Sequence, residues 1–146
     1  MRRFASALSL SALIGVTGLL APATAASEEA LLEAMTGYMD FATYDSGIIM
    51  PDQMDRLVFD SAMIVDTRDA AQFAEGHIPG AVNIEWRAVP GRLDELPASG
   101  MGILYCNTGT LSAQAAFAAR LLGRENVLML QTGYEGWQTT AAYRPE

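Results

Sequence analysis

Apolar residues fall along this chain into short uninterrupted runs separated by stripes of helical spacing. Leu31, Met35 and Tyr38, with Leu32 and Met39 beside them, predict a first helix over 27–41. Ile48, Ile49 and Met50 make a brief extended piece, and Pro51 opens a helix in which Met54, Leu57 and Val58 face one way. The run 62–66 predicts a buried strand ending in Asp66. A short helix over 69–75, stopped by Gly76, and a strand over 81–84 follow. A loop rich in Pro and Gly then leads to the run 102–105, a third buried strand. Next comes a helix over 112–122 that buries Ala113, Ala116, Phe117 and Leu121 and is closed by Gly123. A strand over 126–130 and a helix over 135–141 complete the chain. Fully apolar strands alternating with helices imply an α/β fold: a small parallel β-sheet flanked by helices on both faces. Such sheets bind ligands at the carboxyl ends of their strands.

The amino terminus changes this picture by removing a segment from it. Arg2 and Arg3 precede an apolar stretch from Phe4 to Leu20, and small residues follow as far as Ser27. These are the three regions of a secretory signal, with cleavage expected after Ala25 or Ala26. An apolar stretch of 17 residues broken by Gly15 and Gly18 is short for a membrane span, which needs about 20. The expected organisation is a signal peptide over 1–26, a helical extension over 27–46 and one compact domain over 47–146. The expected location is periplasmic or otherwise exported, with no membrane attachment after cleavage.

Charge narrows the partners. The chain has no lysine, its formal net charge is −8, and loss of Arg2 and Arg3 makes it two units more negative. An acidic surface argues against nucleic acid or anionic membrane. It also repels small anionic substrates. A single cysteine, Cys106, excludes an internal disulfide, and with a single histidine it excludes a structural zinc site. Neither a metal nor an organic cofactor is called for.

Cys106 is the centre of the candidate chemistry. It stands between the strand 102–105 and the helix that begins near Thr110 or Ser112, where unpaired backbone N–H groups favour thiolate over thiol. An unpaired cysteine in an exported protein is either buried and inert or used as a reactive thiol. The strand–turn–helix setting favours use.

The segment from Ile64 to Ile84 contains Asp66-Thr67-Arg68, Phe73 and Gly76-His77-Ile78-Pro79-Gly80-Ala81, and then Asn83-Ile84. It closely resembles the first signature of the rhodanese (sulfurtransferase) family, and Gly133-Tyr134-Glu135-Gly136-Trp137 looks like the family's carboxyl-terminal signature. Cys106 falls where the catalytic loop belongs. The resemblance runs from about Ile48 to Thr140, leaves 27–46 uncovered, and includes a known kind of single-domain exported member. It implies persulfide chemistry at Cys106, with a small sulfur donor such as thiosulfate and a thiophilic acceptor such as cyanide or a thiol. The loop from Cys106 to Leu111 has the six-residue length of sulfurtransferases. The backbone N–H groups of Asn107, Thr108, Gly109, Thr110 and Leu111 would cradle the persulfide, Gly109 supplying the positive φ of an anion nest. In the family, Asp66 and Arg68 hold loops together. The setting of His77 favours a hydrogen-bonded structural role over a dyad with Cys106. Tyr134 and Trp137 read as packing, with the pocket wall as a second place for Tyr134.

One departure from the family stands out. Active thiosulfate sulfurtransferases usually carry a basic residue at the sixth or fifth loop position, which here are Leu111 and Thr110. Arg87 is the candidate to compensate from the pocket rim, against the plainer reading of a solvated arginine. Two readings stay open: a sulfurtransferase or persulfide carrier, and a catalytically weak module that senses thiol redox state or binds a periplasmic protein partner. A phosphatase of this fold needs an arginine six positions after the cysteine, where this chain has Ser112.

Overall fold

The computed structural model describes residues 23–145, so the expected export signal lies outside the described residues as far as position 22. Five strands form one sheet: β1 (Ile48–Ile49), β2 (Met63–Asp66), β3 (Val82–Asn83), β4 (Gly102–Tyr105) and β5 (Val127–Leu130). Their spatial order is β1-β5-β4-β2-β3, and every pairing is parallel. Parallel neighbours require crossover connections. The helices are α1 (Ala23–Phe41), α2 (Arg56–Ser61), α3 (Ala70–Glu75), α4 (Thr110–Leu121) and α5 (Gly133–Thr140). Two 3₁₀ segments, Trp86–Gly91 and Leu93–Glu95, occupy the loop rich in Pro and Gly.

Apart from Asp66 and Asn83 at the strand ends, the strands are apolar because the sheet has a core on each side. Alternate side chains point to opposite faces. Val65, Leu104 and Val127 therefore join Val89, Leu96 and the small face of α4 on one side. Ile64, Ile103, Tyr105 and Leu130 join Met54, Ile78 and Trp137 on the other. The expected α/β architecture is the observed one.

Local detail departs from expectation in three places. The helix expected from Pro51 is a 3₁₀ turn, Pro51–Gln53, followed by α2. Asp55 separates them, because its extended backbone ends the turn and its carboxylate accepts the Val58 N–H at 2.9 Å as an N-cap. Met54 is consequently fully buried while Leu57, expected beside it, is 80% exposed. Helix α4 starts at Thr110, and its buried face is Ser112, Ala115, Ala116 and Ala119. Ala113, Phe117 and Leu121 are only half-buried. Small residues face the sheet here so that the helix can lie close to it. Gly123, at φ 91°, closes α4 as expected, with its own N–H and that of Arg124 returning to Arg120 O and Ala119 O.

The stripe on α1 is also divided. Leu31, Leu32 and Met39 remain exposed. Tyr38 packs edge-on against Phe117 of α4 at 5.3 Å, and its hydroxyl accepts from Arg120 Nε at 3.3 Å.

The contact that places the site is between α5 and the Cys106 loop. The N–H groups of Tyr134 and Glu135 donate to the carbonyls of Cys106 and Asn107 at 2.8 and 3.1 Å. Gly133 permits this approach, having φ 57°, and a Cβ there would lie 2.3 Å from Cys106 O and 2.6 Å from Asn107 O. Gly133→Ala is expected to lower stability by about 2 kcal/mol or more, combining backbone strain with a clash against main chain. Urea denaturation measures this, and a loss below about 0.5 kcal/mol would show that α5 does not need the close approach.

Candidate active site around Cys106

Cys106 follows β4 directly and is 3% exposed. Its chain turns through Gly109, at φ 95°, into the first turn of α4. Residues of a helix's first turn have no intrahelical partner for their N–H groups. Here those donors are used by sulfur. Burial pushes the Cys106 thiol up, but the N–H groups of Ser112, Leu111 and Thr108, with the Ser112 hydroxyl, outweigh burial and hold it below its ordinary value. Ser112 Oγ lies 3.8 Å from Sγ and bonds the Gly109 carbonyl at 3.0 Å. The donors at sulfur thus come from Thr108 and Leu111, both expected, and from Ser112, which was not. Its signal in the sequence was its place one turn into the helix, six residues after the cysteine.

The sulfur borders a cavity of about 540 Å³ whose wall includes Thr67, Arg68, Asp69, Gln72, Asn107, Thr108, Thr110 and Leu111. Glu85, Trp86, Arg87 and Glu135 complete it. That size suits a small molecule. The structure therefore brings Arg87 to the same cavity as the loop. Its Nε donates to Glu85 Oε1 at 2.9 Å, however, and its side chain is 73% exposed. No lysine or arginine stands at Thr110 or Leu111, so the loop offers an anion backbone N–H groups and threonine hydroxyls but no side-chain cation.

Arg68 reaches the cavity wall from an inside position. It is 6% exposed and clamps the fully buried Asp66 through Nε and Nη2, the shortest contact being 2.5 Å. Nη2 also donates to Gly76 O at 2.6 Å, and Nη1 to Asn107 Oδ1 at 3.2 Å. The guanidinium carbon sits 4.6 Å from the Tyr134 ring centroid. Asn107 passes the link on, its Nδ2 donating to Gln72 Oε1 at 2.7 Å. Both ends of the Asn107 amide are therefore held by protein. Asn83 Nδ2 straps the carbonyls of Asp66 and Arg68 at 3.0 and 2.9 Å.

The remaining candidates lie apart from the sulfur. His77 is exposed, stacks on Phe73 at 3.9 Å and pairs its Nδ1 with Phe73 O at 2.9 Å. Tyr134 belongs to an aromatic stack with Tyr105 and Trp137 rather than to the cavity wall. Tyr105 is fully buried, and its hydroxyl accepts the Ile78 N–H at 3.0 Å, fixing the Gly76–Gly80 turn. Among the described residues, no three His, Cys, Asp or Glu side chains group as a metal site would need.

A parallel five-stranded α/β sheet with a cysteine in an N–H cradle after its central strand defines a class of thiol-centred proteins. The rhodanese-like domain pattern matches residues 50–140, and the chain belongs to that family. Relatives include a sulfurtransferase of Allochromatium vinosum, 32% identical over 53% of this chain and 73% of its own length. Another is the thiosulfate sulfurtransferase GlpE of Pseudomonas entomophila, 30% identical over 63% of this chain and 84% of its own. Among solved structures, the human single-domain sulfurtransferase TSTD1 superposes with a TM-score of 0.55 at 24% identity, covering 63% of this chain and 95% of that one. This last likeness is one of fold.

Two measurements test the cradle and its anchor. The rate of Cys106 alkylation should rise with pH and level off with a midpoint below that of a free thiol, because the folded protein deprotonates first. Ser112→Ala, which keeps the backbone N–H and removes the hydroxyl, should move that midpoint upward, and an unmoved midpoint would remove the Ser112 hydroxyl from the cradle. By linkage, thiolate formation adds stability that is fully present above the unfolded thiol's pKa and is lost as pH falls through the folded one. Arg68→Ala, which leaves Asp66 buried and unpaired, should cost about 3–5 kcal/mol in urea denaturation. A cost under about 1 kcal/mol would mean that the pair does not hold the loops.

Proposed function

We propose that this protein is an exported sulfurtransferase or persulfide carrier working through Cys106. The Cys106 thiolate attacks the outer sulfur of thiosulfate or a related sulfane-sulfur donor. With thiosulfate, the donor's S–S bond breaks, sulfite leaves with the electron pair, and Cys106 becomes a persulfide. A thiophilic acceptor then takes the outer sulfur and returns the thiolate, a double displacement through a covalent intermediate. The observation that carries the reading is the position of Cys106, at the end of β4 and the start of the turn into α4, on the wall of an open cavity with Ser112 Oγ 3.8 Å from Sγ. The lowered thiol agrees with it. Family membership and the names of the sulfurtransferase relatives support the same chemistry. Export rests on the arginines and apolar run at the amino terminus.

A second reading, a weakly catalytic module that binds a protein partner or senses thiol redox state, is favoured by one observation. The loop has no cation for a sulfonate, and Arg87 is already paired with Glu85.

Intact-protein mass separates the two. Wild type incubated with thiosulfate should gain one sulfur and lose it to cyanide, and Cys106→Ser should gain none. Failure of Cys106 to load from thiosulfate and also from glutathione persulfide would leave the binding module.

A further inference from the structure

The charged side chains around the Cys106 cavity are Arg68, Asp69, Glu85, Arg87 and Glu135. Four of them are already committed. Arg68 holds Asp66, Gly76 O and Asn107. Asp69 caps α3, accepting the Gln72 N–H at 2.9 Å and Gln72 Nε2 at 2.6 Å. Glu85 and Arg87 neutralise each other at 2.9 Å. Glu135 is the exception: its backbone N–H bonds Asn107 O, while its carboxylate makes no hydrogen bond or ion pair among the described residues. The unbalanced charge of the cavity wall is therefore negative. It is carried by Asp69, whose partners in Gln72 are neutral, and by Glu135 on α5, the helix that buttresses the carbonyls of Cys106 and Asn107. Of the two, only the Glu135 carboxylate has no hydrogen bond among the described residues.

We propose that the free Glu135 carboxylate is a specificity determinant of this cavity, favouring sulfur acceptors that bear an ammonium group over those that bear a carboxylate or sulfonate. The inference rests on the persulfide reading of Cys106 and names its acceptor class: small aminothiols. An acceptor thiolate attacks the outer sulfur of the Cys106 persulfide and forms a new S–S bond. The old bond between that sulfur and Sγ breaks, and its electron pair returns to Sγ as thiolate. The acceptor's charged end sits at the rim during this step. A carboxylate at the rim attracts an ammonium and repels an anion without touching the reacting sulfurs. Its effect is a charge preference that salt screens.

The test loads Cys106 with inorganic polysulfide, removes the excess, and follows loss of the added sulfur by intact mass. Cysteamine and mercaptoacetate are the two acceptors. Their ratio of rates is compared between wild type and Glu135→Gln, so that the intrinsic reactivity of each thiol cancels. At low ionic strength the wild-type ratio should exceed that of the variant by about three- to fivefold, and the excess should vanish in about 1 M salt. Glu135→Gln should also load faster from thiosulfate by a similar factor. Equal ratios in the two proteins would overturn the assignment of Glu135, as would an excess that salt leaves unchanged. Failure of Cys106 to load from polysulfide at all would instead overturn the persulfide reading, and this inference with it.

Discussion

The guanidinium of Arg68 is the constraint on which the site depends. It is buried, and its donors reach three separate segments: Asp66 at the end of β2, Gly76 at the end of α3, and Asn107 in the cysteine loop. Its face lies against Tyr134 of α5. Burying an ion pair brings little net stability over apolar packing, but leaving one partner alone is costly. Once Asp66 is buried, Arg68 must sit where it does, and the loops that bond it are fixed in turn. A planar donor fork suits this task in a way an ammonium does not.

That rigidity is what lets the backbone act on sulfur. A thiol taken out of water resists ionisation, and burial acts on Cys106 in that direction. The opposing donors are main-chain N–H groups at the start of α4, which cost no side-chain entropy to order and are held by the close packing of α5 on the loop. A loop free to move would lose this alignment. The cradle is thus local in composition but non-local in cause, since Gly133 and Arg68 maintain it from other elements.

The charge around the cradle works differently from the cradle itself. Backbone N–H groups favour an anion at the sulfur, while the cavity wall beyond carries a neutralised Arg87, an Asp69 bonded only to neutral groups and an unpaired Glu135. A substrate meets an anion-favouring point inside an anion-disfavouring rim. The two scales differ: the cradle acts at hydrogen-bond distance in a partly dry site, and the rim acts through solvent with weaker, salt-dependent force.

Much of this was determined by the sequence alone. Alternating apolar runs and helical stripes fixed an α/β sheet with two covered faces, because strand and helix periodicities are properties of neighbouring residues. The placing of Cys106 at a strand's end, the turn at Gly109 and the close at Gly123 are equally local. What only the tertiary structure decided depends on residues far apart in the chain. The break at Asp55 turned Leu57 outward, because a cap hydrogen bond competed with the apolar stripe. The buried face of α4 rotated towards Ser112 and Ala119 to fit the sheet, which put Ser112 at the sulfur. Arg87 did reach the cavity, but a neighbouring carboxylate neutralised it. Glu135 gained its place only when α5 docked through Gly133. Charge and hydrogen-bond partners are set by distance in space, and periodicity along the chain does not encode that distance.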